Sequence, residues 1–261
     1  MPAPDDLSLL IEAARIAGDI ASPFWQAHPK VWEKDDDAGP VTEADLAVDA
    51  ALHTFLREAR PGYGWLSEET ADSAERLTRE RVFIVDPIDG TRSFIAGEKN
   101  WAHSLAIAEA GQITAAVVYL PMRDRLYSAA RGQGAYLNGA AISVSARPDT
   151  TGATVLTARP NLLSHHWIGG TPEFVHKFRP SLAYRLALVA EGRYDAMITL
   201  RPTWEWDVAA GSLILSEAGG ASLDGRGHAP LFNQPHPQIP RMIAAGQTLL
   251  PKIMERLILL D

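Results

Sequence analysis

Two aspartates in residues 82–91, which read Val-Phe-Ile-Val-Asp-Pro-Ile-Asp-Gly-Thr, are the side chains of this sequence best suited to chemistry. An apolar, β-branched run of strand length ends at Asp86 and Asp89, with Pro87 and Gly90 beside them. We expect a strand that stops in a tight turn and projects both carboxylates from the end of a sheet. Such carboxylates can converge on one hard cation, and the amides that follow can face an anion. The alternative is a purely structural turn, since Asp-Pro and Asp-Gly are common turn formers.

Three further segments place acids at expected boundaries between elements, and each has a simple structural alternative. Asp45 can favour a helix N-terminus, and the pair Glu68-Glu69 can be solvated loop acids. Asp207 can cap a helix, but it follows two nearby tryptophans and precedes Val-Ala-Ala-Gly. An unpaired carboxylate in such an apolar neighbourhood is costly unless a cation lies beside it. Asp207 is therefore a candidate metal ligand.

The composition limits the classes of protein and of site. With 261 residues, 46% hydrophobic and 21% charged, the chain fits one large domain or two interlocked lobes. A net charge of −8 argues against a protein whose main ligand is the backbone of a nucleic acid polymer. The absence of cysteine excludes disulfides and thiolate ligands, and leaves oxygen or imidazole as metal donors. We expect a cytoplasmic protein with no membrane partner, since no signal peptide or apolar span is recognisable.

The elements that must position these acids follow from hydrophobic spacing and turn residues. An amphipathic helix is expected over residues 7–26, a polar loop over 32–40, and a second helix from Thr42 to residue 59. Short apolar runs separated by turn residues then predict an antiparallel meander with strands 104–108, 113–120, 125–130 and 135–137.

The pattern after residue 150 alternates between strands and helices. The predicted elements are strand 154–158, helix 182–191, strand 196–200, helix 207–217, strand 242–245 and helix 247–259. This order predicts a layered α+β architecture rather than a doubly wound sheet. We expect an N-terminal lobe, residues 1–150, with the meander and most of the acids, and a C-terminal lobe, residues 151–261, that supplies Asp207 and a wall for the substrate.

In order and spacing, the acidic segments resemble the inositol monophosphatase superfamily of magnesium-dependent, lithium-inhibited phosphatases. The combination of Asp-Pro-Ile-Asp-Gly-Thr at 86–91 with Trp-Asp-Val-Ala-Ala-Gly at 206–211 is the most specific part of the resemblance. The likeness runs from about residue 7 to the C-terminus. It implies the layered α-β-α-β-α sandwich shared with fructose-1,6-bisphosphatase.

The resemblance also implies a ligand set for magnesium. Glu68, Asp86 and the backbone carbonyl of Ile88 would hold one Mg²⁺, and Asp86, Asp89 and Asp207 would hold a second. A third, weaker ion would lie near Glu68. Clustered carboxylates need such cations, because their mutual repulsion is otherwise uncompensated.

Catalytic and phosphate-binding residues are implied in the same way. Thr91, linked to Asp45, would orient and deprotonate the attacking water, with Glu68 as the third member of the catalytic group. The Gly90 and Thr91 amides would bind the phosphate at a helix N-terminus. Glu69 would be an outer or surface acid rather than a ligand.

Three details resemble the branch that hydrolyses adenosine 3′,5′-bisphosphate to AMP and phosphate. These are Lys34 with the Gly-Pro-Val-Thr-Glu-Ala-Asp that ends at residue 45, Ser67 before the glutamate pair, and Pro-Thr-Trp-Glu-Trp-Asp at 202–207. The inositol branch carries a glutamate where this chain has Thr-Leu at 199–200. Arg185 replaces the lysine with which the nucleotidase branch contacts an anion.

Other substrates and another class of function stay open. Inositol 1-phosphate is the main alternative, followed by histidinol phosphate and sugar bisphosphates. A catalytically silent scaffold that binds a protein or RNA partner is the non-enzyme alternative, and the complete acid set argues against it. We expect a small phosphorylated metabolite as partner and favour a homodimer. The pair His165-His166 is expected in a mobile surface loop, with its role open.

Overall fold

The computed structural model describes residues 5–34 and 39–260, which form six α-helices and sixteen strands. The helices are α1 (Asp6–Ala21), α2 (Glu43–Ala59), α3 (Thr91–Ile95), α4 (Leu182–Ala190), α5 (Glu205–Glu217) and α6 (Leu249–Met254). The strands are β1 (Val31–Glu33), β2 (Pro40–Thr42), β3 (Gly64–Ser67), β4 (Arg81–Asp89), β5 (Ala102–Glu109), β6 (Gln112–Leu120), β7 (Arg125–Ala130), β8 (Ala135–Leu137), β9 (Ala140–Ala141), β10 (Thr154–Thr157), β11 (Val175–Lys177), β12 (Ala196–Thr199), β13 (Thr203–Trp204), β14 (Gly220–Asp224), β15 (Gln238–Ile239) and β16 (Met242–Gly246).

Two large sheets and three helical layers make up most of the fold, with two further two-stranded pairs, β1-β2 and β13-β15. The larger sheet has seven strands in the order β3-β4-β5-β6-β7-β8-β9, and only the β3–β4 pair is parallel. The smaller sheet has five strands in the order β11-β10-β12-β16-β14. In it β10 runs parallel to β11 and β12, while β16 is antiparallel to β12 and β14.

Alternation along β4 shows how the layers are assembled. Phe83 and Val85 pack with α1 and α2 in one core, whereas Val82 and Ile84 face the opposite side, as the period of a strand requires. On that opposite side α4 and α5 fill the space between the two sheets. A third core lies between the outer face of the smaller sheet and α6. The predicted α-β-α-β-α sandwich is confirmed.

Helix α5 crosses the boundary that we predict between two lobes. It lies in the second half of the chain, yet it packs against β5 and β6 of the larger sheet. The hydroxyl of Ser104 in β5 also donates to the backbone carbonyl of Trp206, at 2.8 Å. The division at residue 150 stays a prediction.

Several element bounds differ from the sequence-based expectations. The first helix ends at Ala21, where Pro23 starts a short 3₁₀ turn, and not at residue 26. The expected polar loop over 32–40 is partly wrong, because β1 and β2 pair in antiparallel register from Val31–Thr42 to Glu33–Pro40. Residues 35–38 lie outside the described residues.

The C-terminal helix is shorter than the expected span 247–259. It ends at Met254, because the chain beyond it turns to pair with residues 166–168. Leu257 forms an antiparallel bridge with Trp167 there. Across the described residues, no helix combines the length and the apolar composition that crossing a bilayer requires.

Candidate active site

The end of β4 buries a carboxylate that has no hydrogen-bond donor. Asp86 is 1% exposed, and neither of its oxygens has a hydrogen-bond partner among the described residues. The strand continues through Pro87 to Asp89, with a shift of register against β5 between the two aspartates. A buried, unpaired carboxylate is costly, which makes Asp86 the clearest candidate for a cation ligand.

Asp89 joins the larger sheet to the start of α4. Its Oδ2 accepts hydrogen bonds from the hydroxyl of Ser181 and from the amide of Ala183, both at 2.6 Å. Ser181 is the N-cap of α4 and also accepts from the amide of Tyr184, at 3.0 Å. The position of Asp89 therefore depends on residues that are far away in the sequence.

Asp207 lies in the first turn of α5. Its Oδ2 accepts from the hydroxyl of Thr203 at 2.9 Å and from the amide of Trp204 at 3.2 Å. The capping role that we considered as an alternative is thus present. It does not exclude the ligand role, since a carboxylate has a second oxygen.

The three aspartates converge. Asp86, Asp89 and Asp207 each offer an oxygen within 4.8 Å of the others. Burial, with repulsion from Glu68 and the other two aspartates, raises the pKa of Asp86 well above its usual range. Burial and the neighbouring acids raise the pKa of Asp207 to about 8, and burial raises that of Asp89 to about 6. All-oxygen donors with excess negative charge fit a hard divalent cation.

Glu68 and Glu69 share a lysine. Lys34 Nζ lies 2.7 Å from an oxygen of each glutamate, and both carboxylates raise the lysine pKa although its burial lowers it. Glu68 lines the same cavity as Asp89 and Asp207. Glu69, which we expected to be an outer or surface acid, is not at the surface: its side chain is 4% exposed, and burial raises its pKa to about 7.

Thr91 lies between the acid cluster and α2. Its hydroxyl is 3.3 Å from Asp45 Oδ1 and 3.1 Å from the carbonyl oxygen of Ile88. Asp45 also caps α2, accepting from the amide and the hydroxyl of Thr42 at 2.9 and 2.5 Å. Burial raises the pKa of Asp45 to about 6. Helix α2 therefore holds Thr91 through Asp45.

Gly90 makes the turn into α3 possible. It has φ +101°, and a Cβ built there would lie 3.1 Å from the carbonyl oxygen of Asn100. A side chain at this position would meet both backbone strain and a fixed backbone atom. The turn that carries Asp89 and Thr91 therefore requires glycine.

Acids and arginines together line one cavity of about 620 Å³. Arg92, Arg185 and Arg201 line it, and none of them has an ion-pair partner in residues 5–34 and 39–260. Arg185 is 6% exposed and donates from Nε to the carbonyl of Arg179. Burial lowers its pKa to about 10, so the guanidinium stays charged at neutral pH.

Sequence comparison supplies the family. The profile described as "Inositol monophosphatase family" matches residues 5–258, nearly the whole chain. The chain belongs to the inositol monophosphatase family. Members of this family are phosphomonoesterases, and the acid cluster is consistent with their metal dependence.

Named relatives and solved structures agree with this assignment. An inositol-1-monophosphatase of Rhizobium meliloti is 34% identical over 85% of this chain and 86% of its own length. A Nus factor SuhB of Escherichia coli is 34% identical over 84% of both chains. The structure of an IMPase from Thermotoga maritima superposes with a TM-score of 0.82 at 27% identity, covering 94% of this chain and 93% of that one.

Sequence reasoning missed several residues that position the acids of this family member. Lys34, Ser181 and Thr203 each contact a carboxylate of the site. Ser181 is the N-cap of α4, so the preference for hydroxyls at that position was a usable signal. Thr203 lies one residue before the N-cap of α5 and carries no such signal. The lysine had no such signal, because nothing local indicates that it reaches residues 68 and 69.

A second carboxylate on α2 holds the loop that carries Glu68. Asp49 accepts from the hydroxyls of Ser67 at 2.5 Å and Thr70 at 2.6 Å. The indole of Trp65 donates to Thr70 at 3.3 Å. The loop is therefore fixed on both sides of the two glutamates.

The histidine pair is remote from this chemistry. His165 and His166 lie in a 3₁₀ turn at the surface, with ring centroids 4.0 Å apart. Neither lines the cavity. The expected surface position is found, and the role of the pair stays open.

Proposed function

We propose that this protein uses Mg²⁺ to hydrolyse a small phosphate monoester that carries a second anionic group. Adenosine 3′,5′-bisphosphate, giving AMP and phosphate, is the first candidate. The observation that supports this most is one cavity lined both by carboxylates, next to the donorless Asp86, and by arginines that have no ion-pair partner among the described residues. A divalent cation suits the carboxylates, and an anion suits the arginines.

The metal ligands that we propose are Asp86, Asp89, Asp207, Glu68 and the carbonyl of Ile88. When bound there, Mg²⁺ polarises a phosphoryl oxygen and makes water a better nucleophile at neutral pH. The unpaired oxygens of Asp86 and the raised pKa values of its neighbours support these assignments.

Thr91 and Asp45 are the residues that we propose to orient the water and accept its proton. The Thr91 hydroxyl has one proton and donates it either to Asp45 or to the carbonyl of Ile88. Its free lone pair can then accept from water. Asp45 has a raised pKa of about 6, which suits a group that receives a proton near neutral pH. The amides of Gly90 and Thr91 are the proposed phosphate donors.

The second anion is the finer part of the proposal. Arg185 is almost fully buried, and its terminal nitrogens have no acceptor among the described residues. A buried guanidinium with free donors favours a bidentate anion such as phosphate. Thr199 lines the same cavity, whereas the inositol branch has a glutamate in this stretch for its polyol.

Inositol 1-phosphate is the second candidate, supported by the names of several relatives above 30% identity. Other relatives are named Nus factor SuhB, which keeps a role with a protein or RNA partner as the non-catalytic alternative.

Phosphate release with and without Mg²⁺ tests the phosphatase itself. We expect Mg²⁺-dependent turnover that Asp89→Asn reduces at least about tenfold, since the variant removes a ligand charge. Asp149→Asn, at an exposed acid outside the cavity, is the matched control and should keep wild-type turnover. Equal turnover in Asp89→Asn and the wild type would contradict the second metal position.

The substrate is tested on one preparation with adenosine 3′,5′-bisphosphate, inositol 1-phosphate and histidinol phosphate. A tenfold preference in kcat/KM, about 1.4 kcal/mol, decides between them. Arg185→Ala should reduce hydrolysis of the nucleotide most, with the exposed Arg193→Ala as control. An equal loss on all three substrates would remove the proposed role of Arg185.

A further inference from the structure

An exposed aromatic ring stands at the edge of the catalytic cavity. Phe178 follows the edge strand β11 and precedes Ser181, the N-cap of α4. It is 49% exposed, and it lines both the catalytic cavity and an adjoining cleft of about 380 Å³ that contains Arg92 and Arg179. Of the aromatic side chains in the described part of the chain, only Phe178 lines the catalytic cavity.

The ring is held firmly despite its exposure. The guanidinium carbon of Arg185 lies 4.6 Å from the centroid of the Phe178 ring. Arg179 donates from Nη1 to the carbonyl of Phe178 at 2.7 Å and from Nη2 to the hydroxyl of Tyr194 at 3.0 Å. The carbonyl of Arg179 in turn accepts from Arg185 Nε. Two arginines thus fix the backbone on which the ring is mounted.

Such an arrangement has no evident value for packing. A large apolar ring that is half exposed forfeits part of the free energy that its burial would provide. Placing it over a buried cation orients the ring and supplies a flat, preorganised face beside the phosphate site. Flat aromatic faces are the surfaces on which nucleobases stack.

We propose that Phe178 is a stacking platform for the base of a nucleoside bisphosphate, with Arg185 behind the ring and directed to the second phosphate. This inference rests on the proposed phosphatase function and deepens it, because it names the planar base that the leaving nucleotide carries. Phe178 is then a specificity residue that favours nucleotides over esters of saturated rings. Since every base has a π-face, stacking on Phe178 should distinguish substrates with a base from those without one, but not one base from another.

Two esters that differ only in the base isolate this effect. We compare kcat/KM for adenosine 3′,5′-bisphosphate with that for ribose 3,5-bisphosphate, at saturating Mg²⁺. In the wild type the ratio should favour the nucleotide at least tenfold. Phe178→Leu, apolar and of similar size but not aromatic, should lower this ratio about tenfold through KM, and Phe178→Tyr should restore it.

The matched control is Tyr136→Leu. Tyr136 is also an exposed aromatic, 36% exposed, but it lies outside the cavity, so its variant should keep the wild-type ratio. A wild-type ratio in Phe178→Leu would overturn the platform. An equal loss of kcat/KM on both esters in Phe178→Leu would also overturn it. The same holds if the ratio falls in Phe178→Leu and Phe178→Tyr does not restore it, because either result indicates a structural or interface role for Phe178.

Calorimetric binding of AMP separates this inference from the phosphatase proposal. AMP is the product and needs no turnover. We expect its affinity to fall about tenfold in Phe178→Leu and to be kept in Phe178→Tyr. If the wild type releases phosphate from inositol 1-phosphate but does not bind AMP, the platform is wrong and the phosphatase stands. If AMP binds through Phe178 but no ester is hydrolysed, the phosphatase proposal fails instead.

Discussion

Two groups of buried or partly buried aspartates in this protein have opposite surroundings. Asp195 accepts hydrogen bonds from the hydroxyl of Ser145 at 2.6 Å and from the amide and the hydroxyl of Thr154, both at 2.7 Å. Although burial raises it, these hydrogen bonds lower the pKa of Asp195 overall. Asp86 has no hydrogen-bond donor in the part of the chain that the structure describes, and its pKa is raised, chiefly by burial.

The contrast separates structural acids from site acids. Asp195 joins the start of β12 to β10 and needs no further partner, as does Asp49 with its two hydroxyl donors. Asp86 has no donor among the described residues. Asp89 and Asp207 have two each, but both offer an oxygen within 4.8 Å of Asp86 and of each other, so three negative charges share one pocket. The clustering of acids in the fold, together with the donors supplied to them, is therefore a better signal of function than the number of acids in a segment.

The largest expected effect comes from exchanging one acid of each group. Asp207→Asn should reduce Mg²⁺-dependent turnover on the order of 10²-fold or more, because a metal ligand contributes several kcal/mol of charge stabilisation. Asp195→Asn should instead lower the melting temperature by a few degrees and keep turnover per folded molecule. Steady-state kinetics and thermal unfolding of both variants measure this. If Asp195→Asn remains folded but has lost its turnover, the assignment of Asp195 as a purely structural acid is wrong.

An intermediate effect is expected for Asp49, which holds the Glu68 loop without contacting the acid cluster. Asp49→Asn should raise the Mg²⁺ concentration for half-activation about tenfold and leave kcat at saturating Mg²⁺ close to the wild type, since residues behind metal ligands tune affinity.

The weaker Mg²⁺ binding of Asp49→Asn should be measurable without turnover, because Mg²⁺ should raise the melting temperature of this variant less than that of the wild type in scanning calorimetry. Ser67→Ala combined with Thr70→Val should reproduce it, because these hydroxyls are the donors to Asp49. A reduced kcat with an unchanged Mg²⁺ requirement would show that Asp49 does not act through the loop.

The smallest effect is expected in the pH dependence of the stability of metal-free protein. Asp45 and Asp89 have pKa values raised to about 6, and Asp207 to about 8, chiefly by burial. Above about pH 4 the folded state then binds more protons than the unfolded state, so its stability falls as the pH rises through these values.

We therefore expect the melting temperature of metal-free protein to fall by several degrees between pH 5 and pH 8. Saturating Mg²⁺ should remove most of this slope, because cations bind the deprotonated acids. Asp195 contributes a slope of the opposite sign at lower pH, since its pKa is lowered. A melting temperature that rises with pH in the absence of metal would contradict the unpaired state of the cluster.

Some of the site was readable from local sequence. Asp86 and Asp89 stand out because a proline and a glycine interrupt an apolar strand. The capping sequence that begins at Thr42 predicts α2 and its end at Ala59 correctly. The apolar neighbours of Asp207 already made it a candidate metal ligand. Family resemblance added Glu68, which local patterns alone left open between structural and functional roles.

The amino-acid sequence by itself determined the order of strands and helices, the helix caps and the turns, because each depends on residues within a few positions of one another. It thereby set the layered α+β fold and the acids available for a metal. The tertiary structure alone decided which acids receive donors, since Ser181 reaches Asp89 across 92 positions and Lys34 reaches Glu68 across 34, while no donor among the described residues reaches Asp86. It also placed Phe178 over Arg185 at the edge of the cavity. Contacts between distant segments depend on how whole layers pack, and no local pattern encodes that.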